Sequence, residues 1–379
     1  LYSYSMIAPP IEQDELESMN NAMIRRGPDG EGVWLSDDKR VGLAHRRLAI
    51  IDLSTDASQP MTLQRPEGCL KISYNGEIYN FKELRRDLES AGHKFKTNSD
   101  TEVLLHLYDR YGRAMVERLR GMFAFALWDE AKKGMLLARD GFGIKPLYYS
   151  DESGVFCAAS QVKALLARLE VKGHPRPEFD SAGHAGFFIF GYVPEPHTLY
   201  KSIKALKAGT TLWVDSEGPR NEQCFFNVSD YLSNVTHKDA SENLGDLLRD
   251  SVYHHFVSDV PVGVFLSSGL DSTTLVGLSS ELQGAGLNTI SLGFDEFRGS
   301  LNDEIPLAEK IAATYGTHQH SIRILSEDFY EHMDDLLSVM DQPSIDGVNT
   351  YFVSKAAASQ GLKVAISGLG GDEIFAGYN

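Results

Sequence analysis

Hydrophobic and polar positions follow two different patterns along the chain. Up to about residue 169, short segments rich in β-branched and aromatic residues lie at 42–52, 69–74, 122–128 and 134–138. Between them, the apolar residues of 81–91 and 100–111 recur every three or four positions. The first pattern predicts strands and the second predicts amphipathic helices. We therefore expect an α+β layered domain over residues 1–170.

From about residue 236 the pattern changes to a regular alternation of helix and strand. Helices are predicted at 241–258, 273–283, 304–315 and 347–359, and strands at 260–266, 289–294, 320–324 and 363–366. Strands that are separated by helices pair in parallel, so residues 236–379 are predicted to form a parallel sheet covered by helices. The Pro- and Gly-rich segment 171–235 is interpreted as the end of the first domain and an inter-domain connection, with the boundary near Val235.

Size and charge narrow the classes of function. The chain has 379 residues, 42% of them hydrophobic, and a formal net charge of −17, which argues against binding to nucleic acid. The longest apolar run, 186–193, is too short to span a bilayer, so no membrane role is expected. Three widely spaced cysteines suggest a reducing, cytoplasmic location. The acidic run 12–17 is interpreted as a solvated helix face.

A candidate phosphate-binding loop follows the apolar run 260–266. The residues Ser-Ser-Gly-Leu-Asp-Ser at 267–272 lead into a helical pattern, and backbone N–H groups at a helix start bind anions. Gly269 permits a tight turn, and Asp271 suggests a magnesium ion between the carboxylate and a pyrophosphate. Hydroxyl groups that can donate to phosphate belong to Ser267, Ser268 and Ser272. The alternative is an ordinary capped strand-to-helix turn.

A second glycine-rich loop favours the interpretation as a phosphate-binding loop. The strand predicted at 363–366 runs into Ser-Gly-Leu-Gly-Gly-Asp-Glu at 367–373. Ligands of open α/β sheets bind at the carboxyl ends of the strands, so the two loops are predicted to face one nucleotide. Asp372 would then be the second carboxylate for the metal.

The two loops, together with 291–296 and 346–350, resemble those of asparagine synthetases, in which the second loop continues as Ile-Phe-Ala-Gly-Tyr. The resemblance implies an α/β PP-loop ATP pyrophosphatase domain that uses ATP and Mg²⁺. It implies that aspartate becomes β-aspartyl-AMP with release of pyrophosphate, and that ammonia then displaces AMP to give asparagine. By resemblance, the ATP site comprises Leu266, Ser267, Ser268, Gly269, Asp271, Ser272, Leu292, Ser367 and Gly368, and the metal ligands are Asp271 and Asp372.

One position departs from the family pattern. Leu369 stands where asparagine synthetases usually have a glutamate that acts in the attack by ammonia, and leucine cannot transfer a proton. Either Glu373 or a residue beyond Asn379 replaces it, or the acceptor is not aspartate. We expect the C-terminal part of this domain to be absent from the chain. Two alternatives stay open: a synthetase that activates another carboxylate for an amide, β-lactam or lasso-peptide product, and a non-catalytic relative or fragment.

Polar turns in the first half carry a second resemblance. Singly, the segments 25–30, 44–52, 74–80 and 98–102 read as turns, a basic strand edge and a helix cap. In this order, and with 139–149, they resemble the glutaminase domain of class II amidotransferases, an N-terminal nucleophile fold with αββα layers. The resemblance implies glutamine binding by Arg47, Asn75, Glu77 and Asp100 and an oxyanion hole formed by Asn75 and Gly76. The substrates would be glutamine, ATP, and aspartate or another carboxylate, and a homodimer is compatible with this family.

The nucleophile of that family is an N-terminal cysteine whose own amino group serves as the base. The chain begins at Leu1, and Cys69 lies within a predicted strand without a free amine. We expect a short Cys-Gly-Ile-like segment to precede Leu1 in the intact protein, and no glutaminase activity from the chain as it stands.

Overall fold

The computed structural model of the chain describes residues 1–232 and 237–375 and separates into two compact units. Unit 1 comprises Leu1–Ser233 and the short segment Asp341–Ser344, and unit 2 comprises Asn234–Met340 and Ile345–Asn379. The boundary predicted near Val235 lies outside the described residues.

Unit 1 is built from antiparallel sheets. Its strands are β1 (Tyr2–Ser3), β2 (Gly30–Leu35), β3 (Gly42–Arg47), β4 (Met61–Leu63), β5 (Leu70–Ile78), β6 (Gly121–Asp129), β7 (Gly134–Arg139), β8 (Tyr148–Glu152), β9 (Val155–Ala159), β10 (Lys204–Ala205), β11 (Thr210–Asp215) and β12 (Gly218–Cys224). Its helices are α1 (Gln13–Asn21), α2 (Phe81–Ser90), α3 (Asp100–Tyr111), α4 (Val162–Val171), α5 (Ser181–Phe190) and α6 (Ser229–Leu232).

These elements form four layers. A six-stranded sheet in the order β12-β11-β7-β6-β5-β4 packs on a four-stranded sheet in the order β1-β9-β8-β10, while β2 and β3 form a separate pair. The core between the two larger sheets includes Leu137, Phe156 and Val214. Helices α1 and α4 pack together outside the four-stranded sheet, and α3 packs on β4 and β5 of the other. The predicted αββα sandwich is confirmed.

Helix α3 has the bounds that the sequence predicts, for local reasons. The Ser99 side chain accepts a hydrogen bond from the Thr101 backbone N–H, and the first turn carries Asp100 and Glu102, which favour the positive end of the helix dipole. Every residue of α3 from Asp100 to Tyr108 is buried, so this helix is a rigid support for β5.

Two interpretations of the first half need correction. Segment 171–235 is not mainly a connection, because β11 pairs with β7 and β12 pairs with β11, which places both strands in the six-stranded sheet. Its glycines and prolines lie largely in the loops between ordered elements. The acidic run is also not wholly solvated, because Glu15 is buried and forms ion pairs with Arg168 at 2.8 Å and Lys172 at 3.2 Å.

Unit 2 is a parallel sheet with helices on both faces. The strands are β13 (Val262–Phe265), β14 (Asn288–Phe294), β15 (His318–Ile324) and β16 (Val364–Ile366). The helices are α7 (His237–His255), α8 (Leu270–Gln283), α9 (Ile305–Tyr315), α10 (Ser326–Val339), α11 (Gly347–Ser359) and α12 (Gly371–Phe375). Apart from α10, which no pattern predicted, the expected alternation is confirmed.

The strand order of unit 2 determines where its loops meet. All neighbours are parallel and the order is β15-β14-β13-β16. The chain therefore moves outward from β13 through β14 to β15 and then returns to the other side of β13. The crevice at such a change of direction is where open α/β sheets bind ligands. Among the described residues, no helix combines the length and the apolar composition needed to cross a bilayer.

Candidate functional site

A polar cavity of about 160 Å³ lies within unit 1, lined from β3, β5, the start of α3 and the loop after β7. All five residues predicted to form the glutamine site and the oxyanion hole line this cavity: Arg47, Asn75, Gly76, Glu77 and Asp100. The structure therefore brings together side chains from three separate sequence segments.

Asp100 braces the part of β5 that faces the cavity. Its Oδ2 accepts hydrogen bonds from the Tyr74 hydroxyl at 2.8 Å and from the Ile78 backbone N–H at 3.0 Å. These two donors stand on either side of residues 75–77, so the carboxyl group holds that stretch in one shape. Burial raises the pKa of Asp100, and the hydrogen bonds from Ile78 and Tyr74 oppose the increase.

At Gly76, β5 lies too close to β6 for a residue with a side chain. A Cβ atom on Gly76 would stand 2.2 Å from the Met122 carbonyl oxygen and 2.8 Å from the Phe123 Cα. Glycine is therefore required by close approach of two backbones. The Asn75 side chain points toward Ser160, to whose Oγ its Nδ2 donates at 3.5 Å.

Arg47 is fixed by the loop that follows β3. Its guanidinium donates to the Ser54 carbonyl at 2.8 Å, to the Ile51 carbonyl at 3.5 Å and, at shorter range, to the Asp52 carbonyl. Asp52 in turn accepts from the Asn98 N–H at 2.7 Å. The loop is thereby tied to the segment that precedes α3, and the arginine is held at the cavity wall.

Glu77 and Lys145 line the same cavity and attract each other, an interaction that sequence reasoning did not identify. Glu77 is only 4% exposed, and burial, assisted by Asp100 and opposed by Lys145, raises its pKa to about 7. Burial also lowers the pKa of Lys145, against the attraction of Glu77. Glu77 is thus close to a change of protonation near pH 7.

The motif at 139–149 explains how Lys145 reaches this position. The Asp140 carboxylate accepts from the backbone N–H groups of Phe142, Ile144 and Lys145, at 3.1, 3.0 and 3.0 Å. Arg139 donates to the Lys145 carbonyl at 2.9 Å. The motif was visible in the sequence, but its role in placing a lysine at the cavity depends on the turn it folds into.

A second cavity, of about 110 Å³, adjoins the first. Its wall is mostly apolar, with side chains such as Leu16, Met135 and Leu147. Four residues line both cavities: Arg26, His45, Arg46 and Asn75. Asn75 thus stands where a polar space meets an apolar one.

In unit 2, the first predicted phosphate loop leaves the end of β13 and enters α8. The Ser267 and Ser272 hydroxyl groups lie 2.8 Å apart, and the Gly269 N–H donates to the Ser267 Oγ at 3.2 Å. The loop is therefore closed on itself by its own serines. Helix α8 begins at Leu270, whose side chain is 81% exposed, so the loop surface is open to a ligand.

The second loop, between β16 and α12, packs directly against the first. A Cβ atom on Gly368 would lie 3.1 Å from the Ser272 backbone nitrogen, and one on Gly371 would lie 1.9 Å from the Asp271 Oδ2. The Asp271 carboxylate therefore rests on the Gly371 backbone, beside the next residue, Asp372. Sequence reasoning paired these loops because both follow the carboxyl ends of predicted strands, and the structure places them in contact.

The remaining predicted residues occupy different positions. Leu266 is buried in the core with Val264 and Val276, so only its backbone can reach a ligand. Leu292 packs in the core cluster on the opposite face of the sheet. Ser367 Oγ accepts from the Leu369 N–H at 3.3 Å, and Ser268 lies within the first loop.

The structure also shows the position of Leu369, the residue that departs from the family pattern. Leu369 is 82% exposed, and Glu373 accepts from the Gly370 N–H at 2.9 Å. Residues 376–378 of the motif lie outside the described part of the chain.

Among the described residues, no group of three or more His, Cys, Asp or Glu side chains could hold a metal ion. Two carboxylates beside a phosphate loop fit Mg²⁺, which takes one or two carboxylates and completes its shell with phosphate oxygens and water.

Two protein families match this chain, one in each of the two units. The family described as glutamine amidotransferase domain matches residues 4–225, and the family described as asparagine synthase matches residues 243–379. Asparagine synthetase (glutamine-hydrolyzing) 1 from Bacillus subtilis is 36% identical over 98% of this chain. Asparagine synthetase (glutamine-hydrolyzing) 3 from the same organism is 34% identical over 97% of it. The chain belongs to the glutamine-hydrolysing asparagine synthetase family.

The relatives of this chain are named for more than one activity. The chain spans 57% and 61% of the lengths of the two Bacillus subtilis asparagine synthetases. A protein from Gibberella zeae named Amidase chry2 is 32% identical over 97% of this chain and 55% of its own length.

Within this asparagine synthetase family member, the polar cavity of unit 1 contains more polar residues than the motifs suggested. Lys145, Arg26, His45 and Gln59 all line it. The Gln59 side-chain amide accepts from the Tyr74 N–H at 2.7 Å and donates to the Tyr74 carbonyl at 3.2 Å. It thus makes the two hydrogen bonds with β5 that a neighbouring strand would otherwise make. Arg26 lies in a motif that the sequence marked only as a turn.

Proposed function

We propose that the protein is an ATP-dependent asparagine synthetase. Ammonia released from glutamine would be transferred to aspartate through β-aspartyl-AMP, with asparagine, AMP and pyrophosphate as products. The observation that carries the proposal is the packing of the Asp271 carboxylate on Gly371, because it joins two phosphate-type loops at the strand ends where nucleotides bind.

The cavity of unit 1 offers the groups that a glutamine molecule needs. Arg47 and Lys145 supply positive charge for its α-carboxylate, and Glu77 and Asp100 supply negative charge for its α-ammonium group. The Asn75 side-chain amide and the Gly76 N–H are the donors proposed for the oxyanion that forms when the carboxamide is attacked. Hydrogen bonds hold Arg47, Asn75 and Asp100 in place before a ligand arrives.

The loops of unit 2 would bind the nucleotide differently. Backbone N–H groups at the start of α8 and the serine hydroxyls would hold the phosphates. Asp271 and Asp372 would hold Mg²⁺, which when bound neutralises phosphate charge. A carboxylate placed at this edge could then attack the α-phosphorus of ATP and release pyrophosphate.

A second candidate is a synthetase that activates a carboxylic acid other than aspartate. Two observations favour it: Leu369 presents an exposed apolar side chain where the family usually has a glutamate, and a relative of similar identity is named an amidase. A more apolar acceptor would pack on Leu369 without a proton acceptor at that position.

The test is pyrophosphate release by the full-length protein with ATP, Mg²⁺, ammonium and a panel of carboxylic acids, with the amide product identified by mass spectrometry. Ammonium bypasses the glutamine half. We expect aspartate to stimulate release, and Asp271→Asn to reduce it by at least about a hundredfold, since metal-dependent charge stabilisation supplies several kcal/mol. The control, Asp334→Asn, removes an exposed charge from α10 of the same unit and should have no effect.

Each other outcome has a clear meaning. Release with another acid alone would replace asparagine synthesis by the second candidate. Turnover retained in Asp271→Asn would contradict the metal role of this residue. If no acid gives pyrophosphate and ATP with Mg²⁺ does not raise the thermal midpoint, the nucleotide site itself is refuted, because a ligand of the folded state must stabilise it.

A further inference from the structure

His45, in β3, lies at the junction of the two cavities in unit 1. Along β5 the alternate residues Ser73, Asn75 and Glu77 share one face, since side chains of a strand alternate. Glu77 lines only the polar cavity, Ser73 lines only the apolar one, and Asn75 lines both. His45 also lines both, so it stands beside Asn75 where one space opens into the other.

The hydrogen bonds of Ser73 determine the tautomer of His45. The Ser73 hydroxyl donates to the Ala44 carbonyl at 2.9 Å, which uses its single hydrogen. The His45 Nδ1 lies 3.3 Å from the same Oγ, so Nδ1 must carry a hydrogen and donate. The Nε2 of the neutral ring therefore holds a lone pair and can only accept.

This Nε2 is available to a ligand. In the part of the chain that the structure describes, this nitrogen has no hydrogen-bond partner. It does not belong to the fully buried polar atoms that lack a partner, so it keeps some exposed surface. Burial, with a smaller contribution from Arg47, lowers the pKa of His45 to about 4. The ring is thus neutral near pH 7 and keeps its lone pair.

The spacing along β5 places this lone pair near a bound carboxamide. Side chains two residues apart on one face of a strand are roughly 7 Å apart. The ring anchored on Ser73 therefore lies within reach of a carboxamide whose oxygen is held at Asn75. With the α-carbon end of glutamine toward Glu77, the carboxamide nitrogen points toward the apolar cavity and the imidazole.

We propose that Nε2 of His45 accepts a hydrogen bond from the carboxamide nitrogen of glutamine and so makes the cavity select glutamine over glutamate. The NH₂ group of glutamine donates to such an acceptor, whereas a glutamate carboxylate presents only lone pairs and is repelled. This role rests on the glutamine site proposed for unit 1.

The test compares the affinities of glutamine and glutamate by calorimetry in the unmodified chain and in three variants. His45→Phe keeps a ring but removes the acceptor, and we expect glutamine to bind about tenfold more weakly while glutamate binds as before or more tightly. His45→Gln retains an amide oxygen that can accept, so it should recover part of the preference. His174→Phe replaces an exposed histidine of the same unit and should change neither affinity.

The ratio of the two affinities separates recognition from structural damage. A His45→Phe variant that binds both amino acids more weakly by the same factor, or that retains the original ratio, overturns the role of His45. If the unmodified chain binds neither amino acid, the proposed glutamine site fails and the inference fails with it. If the unmodified chain prefers glutamine and His45→Phe keeps that preference, only the inference fails.

Discussion

The cavity of unit 1 and the loops of unit 2 hold their ligand-facing groups by different means. In unit 1, Glu77 and Asp100 are buried, and the hydrogen bonds of Asp100 to Tyr74 and Ile78 fix the strand that carries the site. In unit 2, the loops expose Leu270 and Leu369, and their internal bonds run mainly between serine hydroxyls and backbone groups.

This difference fits the ligands that are proposed for the two sites. A small zwitterion such as glutamine gains affinity from charged groups that are already oriented and partly desolvated, since little ordering remains to be done on binding. A polyphosphate brings its own charge and metal, so an open loop of N–H groups and two carboxylates suffices. Substitutions in the first site should therefore reduce the stability of the fold, whereas substitutions in the second should reduce ligand affinity.

The largest effect is expected from Gly76→Ala. The new Cβ would stand 2.2 Å from the Met122 carbonyl, a backbone atom within β6 that cannot move alone. We expect a loss of about 2–4 kcal/mol in the free energy of unfolding and loss of glutamine binding. Thermal unfolding and glutamine calorimetry measure the two effects. Gly30→Ala is the control, because its Cβ would meet the Arg47 Cβ at 3.7 Å; equal melting of the two variants would contradict the packing argument.

Gly371→Ala should act on the ligand and not on the fold. Its Cβ would lie 1.9 Å from the Asp271 Oδ2, the end of a side chain that can rotate away. We expect the thermal midpoint to stay nearly constant while ATP affinity falls by roughly tenfold to a hundredfold, because Asp271 leaves its position beside the phosphates. Gly286→Ala, which would meet no atom within 4 Å, is the matched control. Unchanged ATP affinity would show that the contact is incidental.

Glutamine binding should depend on pH through Glu77. Its pKa of about 7 means that only a minor fraction is ionised at about pH 6 and most of it at about pH 8, so affinity should rise roughly tenfold between these values. Glu77→Gln should remove the dependence, whereas Glu152→Gln, an exposed residue of β8, should retain it. Calorimetry at a series of pH values gives the midpoint, and a midpoint near pH 4.5 would contradict the raised pKa.

The same shift has an opposite consequence for stability. Because the folded carboxyl group holds its proton more tightly than the unfolded one, the folded state binds more protons between roughly pH 4.5 and 7. The contribution of Glu77 to the free energy of unfolding should therefore decrease as pH rises through this window. Comparing unfolding of the unmodified chain with that of Glu77→Gln isolates this contribution.

The smallest effect is expected from Ser291→Ala. The Ser291 hydroxyl donates to the Leu266 carbonyl and accepts from the Gln319 Nε2 at 2.8 Å, so it orders the residue before the phosphate loop. Its loss should cost about 1 kcal/mol of stability and weaken ATP binding two- to threefold. Ser280→Ala removes a hydroxyl that bonds only within helix α8, at 2.8 Å to the Val276 carbonyl, and should leave ATP affinity unchanged. Equal ATP affinities in these two variants would show that Ser291 does not order the loop.

Much of unit 2 could be predicted because its signals are local. Helix α11 begins and ends where its pattern predicted, and both loops lie at strand ends marked by Gly, Ser and Asp. Helix α10 was not predicted, although its apolar residues Phe329, Met333 and Leu336 recur at helical spacing. In unit 1, β11 and β12 lie in the segment interpreted as the end of the first domain and a connection. β12 pairs with β11, and β11 joins the sheet through β7, which lies far away in the chain.

The sequence by itself determined the family, the αββα and parallel-sheet classes, and the residue types of both candidate sites. These depend on periodicity and on short runs of residues whose bonding partners are close neighbours in the chain. Only the tertiary structure placed Asp271 on Gly371, Lys145 in one cavity with Glu77, and His45 between two cavities. Proximity of distant segments, and the burial that shifts the pKa of a carboxyl or imidazole group, arise from packing of the whole domain and leave no mark in any short stretch of residues.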